Sequence, residues 1–224
     1  MDDQRAEYAA AWAEFSHLPA VAPHRADWAA WAAGRGRHTL FMVLVRDPLV
    51  VRAISSVQQR LSGLAGLELH ADHFFHISVQ SCGFDDALTV DYDRVRAALA
   101  RVASFDVVLG GANAFHSAVF VETHSGGKLL ELRGALRAAL GPGVHEIDPY
   151  AGFLFHLTIG YMTSDADADK VRQVLLPLRE AEVARLLVQS VELVEVPTDQ
   201  RVPFPRLEPT ATFRLGRRVS GRRT

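Results

Sequence analysis

Two short stretches of the chain share a pattern of side chains that is suited to acid–base chemistry. His76 is followed two residues later by Ser78, and 80 residues downstream His156 is followed at the same spacing by Thr158. Both stretches, FFHISVQS and LFHLTI, alternate these polar residues with apolar ones. Such alternation predicts strands with one polar and one apolar face. We therefore expect Gln80 to share a face with the first pair, and the second pair to share a face of another strand.

The polar faces of these strands must be hydrated or hydrogen-bonded, because burying an unpartnered imidazole or hydroxyl costs a few kcal/mol. Two equivalent polar faces in two halves of the chain suggest two strands that line one cleft. Histidine titrates near pH 6.5, so one imidazole can accept a proton while the other donates one to a leaving oxygen. The hydroxyls can donate hydrogen bonds to phosphate oxygens. The pattern predicts phosphodiester chemistry without a metal or another cofactor.

The paired motifs resemble those of the 2H phosphoesterase superfamily, which is named for two H-x-[T/S]-x motifs. Here the motifs read HISV at 76–79 and HLTI at 156–159. The similarity runs from about residue 39 to residue 216 and includes GGANAF at 110–115, expected to be a turn, and the strand AVFVET after it. It is strongest for the bacterial 2′-5′ RNA ligase-like, or LigT-like, branch.

The resemblance implies an α+β fold with two pseudo-symmetric lobes of mainly antiparallel sheet, covered by helices and separated by a central cleft. Members of the superfamily hydrolyse or form 2′,5′ or 2′,3′-cyclic phosphodiester bonds without a metal. Carried over to this chain, the catalytic pair is His76 and His156. The phosphate-binding hydroxyls are Ser78 and Thr158. The first motif has serine where threonine is commoner, which keeps the donor but loses the stiffness of a β-branched side chain.

Three further residues are candidates for substrate binding. Gln80 and Tyr161 occupy positions just after the motifs where LigT-like relatives often carry a basic residue, which bears on RNA affinity and ligase activity. The rings of Phe115 and Tyr161 are candidate platforms for stacking a base, with core packing as the alternative role for each.

The composition describes a globular protein with a substantial core. The chain has 224 residues, of which 49% are hydrophobic and 22% charged, and a formal net charge of −2. The net charge by itself predicts no nucleic-acid or membrane partner. No feature of the sequence indicates an obligate protein partner. The single cysteine, Cys82, cannot form an intramolecular disulfide and suits a reducing compartment. The sequence also lacks the pattern of a secretory signal and an apolar run of about 20 residues, so we expect a cytoplasmic location.

The resemblance implies a bilobal phosphoesterase-like domain over residues 39–216, which leaves a helical N-terminal extension (1–38) and a basic C-terminal tail (217–224). Helices are predicted at 4–16, 26–33, 48–61, 92–104, 128–140 and 165–183. Strands are predicted at 38–47, 73–84, 105–111, 115–123, 152–162, 185–196 and 211–217.

Three functions are consistent with the residues. The first is a phosphoric diester hydrolase that acts on 2′,3′-cyclic phosphates or on 2′-5′ linked nucleotides or RNA ends. The second is a non-catalytic module that binds a nucleotide or an RNA end in the same cleft. The third is a structural protein whose motif histidines belong to the core. A metal site in HADHFFH (70–76) is disfavoured, because a strand directs His73 away from its two neighbours. A thiol nucleophile paired with His76 is also disfavoured, because six residues of strand place Cys82 about 20 Å away, and we expect Cys82 to be a buried, inert thiol.

Overall fold

The computed structural model describes residues 4–25, 36–84, 89–144, 153–163, 166–197 and 204–217. Its helices are α1 (Arg5–Ser16), α2 (Pro48–Leu61), α3 (Tyr92–Leu99), α4 (Lys128–Leu140) and α5 (Ala168–Leu175). Its strands are β1 (Arg37–Leu44), β2 (Leu67–Leu69), β3 (His76–Phe84), β4 (Phe105–Ala114), β5 (Ala118–His124), β6 (His156–Met162), β7 (Ala184–Val188), β8 (Ser190–Pro197) and β9 (Pro209–Arg214). None of the helices in these ranges is long and apolar enough to cross a lipid bilayer.

The helix ends follow from local sequence chemistry. Three helices begin after an aspartate whose carboxylate accepts hydrogen bonds from backbone N–H groups of the first turn; these residues are Asp47, Asp91 and Asp167. Such caps satisfy donors that have no partner inside the helix. Helix α4 ends before Gly141, whose φ of 83° lies in the left-handed region that favours glycine. These signals explain why the predicted bounds of α2 and α4 agree with the structure.

The strands form one nine-stranded sheet in the order β7-β4-β5-β6-β3-β1-β8-β9, with β2 also paired to β6. All named strand pairs are antiparallel. The two motif strands, β6 and β3, are neighbours at the centre, and three strands extend outward from each. Gln189 alone separates β7 from β8, although these strands lie in different halves of the order, so the sheet curls back on itself. This is the expected α+β architecture of two similar halves.

The apolar faces of the central strands build the main core. Burial of each large apolar side chain contributes roughly 1.5–3 kcal/mol. Strand residues of this core include Ile77, Val79, Leu157 and Ile159, and helix residues include Leu61, Leu99, Leu132 and Leu175. A smaller apolar cluster consists of Met42, Phe74, Val194, Val196 and Leu207.

The structure differs from the sequence prediction at several boundaries. The strand predicted over 185–196 is divided at Gln189 into β7 and β8, because the chain changes its strand partner there. A 3-10 turn (Asp72–Phe74) replaces the start of the strand predicted over 73–84. The short strand β2 was not predicted. The predicted helix over 26–33 and residues 218–224 of the basic tail lie outside the described residues.

The GGANAF segment is strand rather than turn, and its glycines allow close approach of neighbouring chain segments. Strand β4 continues through both glycines to Ala114. A Cβ atom at Gly111 would lie 1.7 Å from the backbone oxygen of Arg179, and one at Gly110 would lie 2.6 Å from Nε2 of His124. Any side chain at Gly111 would therefore push the segment after α5 away from the sheet.

Candidate active site

The pairing of β3 with β6 determines how the two motifs meet. Ile77 lies opposite Leu157 in this antiparallel pair. Continuing the register by one residue in each direction gives the flanking pairs, His76 with Thr158 and Ser78 with His156. Opposite residues project from the same face, and diagonal neighbours across such a pair are about 7–8 Å apart. By this register, the four motif side chains project from the same face of the sheet.

Each motif histidine makes the same hydrogen bond with its ring. Nδ1 of His76 lies 2.7 Å from the carbonyl oxygen of Phe74, and Nδ1 of His156 lies 2.8 Å from that of Leu154. A carbonyl oxygen can only accept a hydrogen bond, so Nδ1 must carry the proton in both rings. In the neutral ring Nε2 is therefore an acceptor, and in the charged ring Nε2 is a donor. The two histidines have equivalent chemistry despite their separation in sequence.

Burial favours the neutral form of both motif histidines in the free protein. Burial lowers the pKa of His76, and the hydrogen bond to Phe74 opposes this effect. Burial lowers the pKa of His156 to about 4; the bond to Leu154 opposes this, and the charge of His76 lowers it further. An anion between the rings would favour their charged forms and raise both pKa values.

Phenylalanine rings surround His156. The ring of Phe115 meets that of His156 edge-on at 5.0 Å between centroids and stacks on Phe120 at 4.3 Å. Phe120 and Phe153 lie 5.3 Å and 6.5 Å from the same imidazole. Phe115 is half-buried, so part of its ring faces solvent beside the motif. The structure thus brings Phe115 together with the second motif.

Tyr161 lies with the first motif's aromatic neighbours. Its ring stacks on His24 with 3.5 Å between centroids and an interplanar angle of 7°, and His70 meets it edge-on at 4.4 Å. The ring of Phe74 contacts both His70 and His76, at 5.1 Å and 5.2 Å. Burial raises the pKa of the Tyr161 hydroxyl to about 12, so this group stays protonated.

His70 is a buried histidine that the sequence did not single out for the site. It is 3% exposed, and neither ring nitrogen has a hydrogen-bond partner among the described residues. Burial lowers its pKa well below the usual value, and the charges of His76 and His24 lower it further. The nearby backbone of Thr158 favours the charged form of the His70 ring, but it is not placed to make a hydrogen bond with either ring nitrogen.

Gln80 does not share the face of His76 and Ser78. The register of β1 against β3 shifts between Phe41 and Met42, so Gln80 lies opposite Phe41 of the main core. Its amide oxygen accepts a 3.2 Å hydrogen bond from Nη1 of Arg137 on α4. The bulge interrupts the two-residue alternation that the sequence pattern predicted.

A buried charged network lies beside the second motif. Glu122 of β5 is opposite His156, so the two side chains project from the same sheet face. Its carboxylate accepts hydrogen bonds of 2.9 Å from Arg179 and 2.8 Å from Asn113, and Nε2 of His124 lies 3.2 Å away. Burial would raise the pKa of Glu122, but these three partners together hold it below the usual value. The signal in the sequence was an acid inside the apolar strand AVFVETH.

The structure also bears on the metal site and the thiol nucleophile that the sequence disfavours. Among the described residues, no three or more His, Cys, Asp or Glu side chains are grouped to hold a metal ion. Cys82 is 1% exposed, and burial raises the pKa of its thiol to about 12. A buried thiol with a raised pKa is a poor nucleophile.

Comparison with known proteins identifies relatives at two levels. Residues 39–200 match the family model described as the 2′-5′ RNA ligase superfamily. TT0787 of Thermus thermophilus is similar in structure, with a TM-score of 0.60 and 20% identity over 80% of this chain and 98% of that one. Apo LigT of E. coli gives a TM-score of 0.54 and 13% identity over 82% and 100% of the two chains. At these identities the structures show a shared fold. No curated protein sequence matches this chain.

Proposed function

The chain belongs to the 2′-5′ RNA ligase superfamily, and from this premise we propose that it is a metal-independent phosphodiesterase. Its proposed substrates are 2′,3′-cyclic phosphates or 2′-5′ linked nucleotides and RNA ends. The observation that carries the proposal is the β3–β6 register, which sets the two H-x-[S/T] motifs side by side with both histidines in the same tautomer.

In the proposed reaction, the phosphodiester is held between the two motifs. Nε2 of one neutral imidazole accepts a proton from water as the water oxygen forms a bond to phosphorus. Nε2–H of the other, charged imidazole gives its proton to the ribose oxygen as the bond from that oxygen to phosphorus breaks. The product of a cyclic substrate is a phosphomonoester with one free ribose hydroxyl. Each turnover exchanges the charge of the pair, and proton transfer with solvent restores it.

The hydroxyls of Ser78 and Thr158 complete the proposed site. Both are partly exposed on the same sheet face as the histidines. Each can donate a hydrogen bond to a non-bridging phosphate oxygen, where negative charge is concentrated. The anion in turn raises the pKa of the histidines, which supplies the one charged imidazole that the reaction needs.

Aromatic rings at either side of the motifs suit a nucleoside. We propose that the exposed part of Phe115 stacks against a base or ribose beside His156. Tyr161 is already stacked on His24, so we propose that it lines the site rather than stacking a base itself. Gln80 takes a packing role against Arg137. E. coli LigT, which shares the fold, has been crystallised with ATP and with 3′-AMP.

We further propose that residues 39–216 form the phosphoesterase domain, with residues 1–38 as an extension and 217–224 as a basic tail. The family match begins at residue 39, which supports the first of these boundaries.

The test is hydrolysis of 2′,3′-cyclic nucleotides and 2′-5′ linked dinucleotides from pH 4 to pH 9, with a chelator present. Wild type is compared with His76→Ala and His156→Ala after the folding of each has been checked by circular dichroism. Chelator-resistant turnover that both variants lose supports the proposal. A folded wild type that binds these nucleotides without turnover would indicate the non-catalytic binding module instead. Turnover that survives in either histidine variant would contradict the two-histidine mechanism.

A further inference from the structure

The segment that precedes His156 lacks the support of a strand ladder. Strand β6 begins at His156, and its pairing with β5 ends at that residue, opposite Glu122. Yet the carbonyl oxygen that orients the imidazole belongs to Leu154, two residues earlier. The position of this oxygen therefore depends on whatever fixes residues 153–155.

Gln4 makes the contacts that a neighbouring strand would make with this segment. Its amide Nε2 donates to the carbonyl oxygen of Phe153 at 2.6 Å. Its Oε1 accepts from the backbone N–H of Phe155 at 3.2 Å. One side chain thus satisfies the groups on both sides of Leu154. Gln4 is 7% exposed, so water does not readily replace these bonds.

Tyr8 continues the support by one residue. Its hydroxyl accepts a 2.9 Å hydrogen bond from the backbone N–H of Thr123 in β5. The same hydroxyl donates to the carbonyl oxygen of Phe155 at 2.6 Å, the shortest of its contacts with acceptors. It therefore bridges β5 to the segment at the point where the β5–β6 ladder stops. The side chain is 1% exposed.

Helix α1, which carries Tyr8, is itself anchored to the sheet. Nδ2 of Asn113 in β4 donates to the backbone oxygen of Tyr8 at 2.9 Å. The guanidinium of Arg179 lies 4.6 Å from the ring centroid of Trp12. Nη1 of Arg172 donates to the backbone oxygen of Phe15 at 3.3 Å. These contacts hold the helix that carries Tyr8, and that begins directly after Gln4, against the sheet.

We propose that Gln4 and Tyr8 are positioning residues that fix the Leu154 carbonyl and, through it, the tautomer and orientation of His156. This role rests on the proposed function of His156 as an acid–base group. Both residues lie outside the span that matches the family model, 39–200. The N-terminal extension thus contributes to the second motif in a way that the motif itself does not encode.

The test combines nitrogen NMR of the histidine rings with kinetics on a 2′,3′-cyclic nucleotide. Tyr8→Phe keeps the ring and removes only the hydroxyl, and Gln4→Met keeps the side-chain length and removes both amide bonds. In the full-length protein at pH 7.5, each variant should show a new Nε2–H population at His156 while His76 keeps its Nδ1–H form. The kcat should fall about 10-fold, as expected for a displaced catalytic group, with KM changed less than about twofold.

The matched control is Tyr92→Phe, which deletes a hydroxyl from a 43% exposed tyrosine on α3. It should leave both histidine signals and kcat at wild-type values. Unfolding midpoints are measured for all variants, because a role limited to stability would lower the midpoint without changing the His156 tautomer.

Two outcomes would overturn the inference. One is an unchanged His156 signal and an unchanged kcat in folded Tyr8→Phe and Gln4→Met. The other is an equal change at His76 and His156, which would indicate general loosening of the sheet. An inactive wild type would refute the proposed function instead, and the NMR measurement would still decide whether the extension sets the His156 tautomer.

Discussion

The two motifs carry histidines in the same tautomer but are held by different parts of the chain. His76 follows a 3-10 turn whose bonds are local, from Phe74 N to Ala71 O at 2.9 Å and from Phe75 N to Asp72 O at 3.3 Å. His156 follows a segment held by side chains that are almost 150 residues distant in sequence. Nevertheless both imidazoles donate through Nδ1 to a carbonyl oxygen two residues back.

The comparison shows that two histidines can be held in the same tautomer by different structural elements. The first histidine follows a local turn and a backbone hydrogen bond from Val45 N–H to the Phe75 carbonyl at 3.0 Å. The second follows a segment that is bound by the side chains of Gln4 and Tyr8. Loss of the Gln4 and Tyr8 hydrogen bonds should therefore affect the second motif selectively. The following experiments test whether the two motifs are chemically equivalent and whether their supports differ.

The largest effect should come from removing the acid–base groups. His76→Asn and His156→Asn should each lower kcat by about 10³-fold, since a positioned general acid or base contributes about 10²–10⁴-fold. Because the two groups act in one step, the double variant should be little worse than either single variant. Steady-state kinetics on a cyclic nucleotide measures this. Fully multiplicative losses in the double variant would show that the two histidines act independently.

Removal of the motif hydroxyls should have the next largest effect. Ser78→Ala and Thr158→Val remove one donor each while preserving most of the side-chain volume, and each should lower kcat/KM by about 100-fold. Equal losses would extend the equivalence of the motifs to phosphate binding. The exchange variants Ser78→Thr and Thr158→Ser keep the donor and serve as controls with near wild-type activity. A loss confined to one hydroxyl would mean that the phosphate is held by one motif alone.

The pH dependence should distinguish the free protein from the substrate complex. Both histidine pKa values are lowered in the free protein, to about 4 for His156. The singly protonated pair is thus scarce above about pH 6.5, and kcat/KM should fall with rising pH up to tenfold per unit. The anionic substrate raises both values, so the kcat profile should be displaced to higher pH. Superimposable profiles measured from pH 4 to pH 9 would contradict this electrostatic account.

The local chemistry of the chain could be predicted from its sequence. The spacing of polar and apolar residues predicted the strands of both motifs and a shared face for each His-x-Ser/Thr pair. The α+β fold and its two halves followed from the resemblance and are confirmed by the similar structures. The predicted bounds agree for α2, which begins after Asp47, and for α4, which ends before Gly141. The helices predicted over 92–104 and 165–183 are shorter in the structure, at Tyr92–Leu99 and Ala168–Leu175.

The remainder depends on tertiary contacts that no local pattern contains. Gln80 left the predicted face because a bulge shifts the register of β3 against β1. The resemblance predicts a turn at GGANAF, whereas in the strand Gly111 allows the close approach of Arg179 and Gly110 that of His124. Gln4 and Tyr8 carry no motif, since their partners are backbone groups of a distant segment.

The smallest predicted effect concerns His70, a second buried histidine that lies beside the first motif and has no equivalent described beside the second. Its pKa in the folded state is below the value of about 6.5 in the unfolded chain, so the unfolded state binds the proton more tightly. The associated stability is complete above about pH 6.5 and is lost as pH falls below that value.

His70→Phe should reduce the acid sensitivity of folding, because a phenylalanine at this position has no proton to bind. Between pH 7.5 and pH 5.0 the wild type should lose up to about 2 kcal/mol more free energy of unfolding than the variant, as measured with urea. His73→Gln removes an exposed histidine three residues away and should keep the wild-type difference. If His70→Phe lost as much free energy of unfolding at pH 5.0 as the wild type, the acid sensitivity would have to come from His76 and His156. The surroundings of the two motifs would then not differ in this respect.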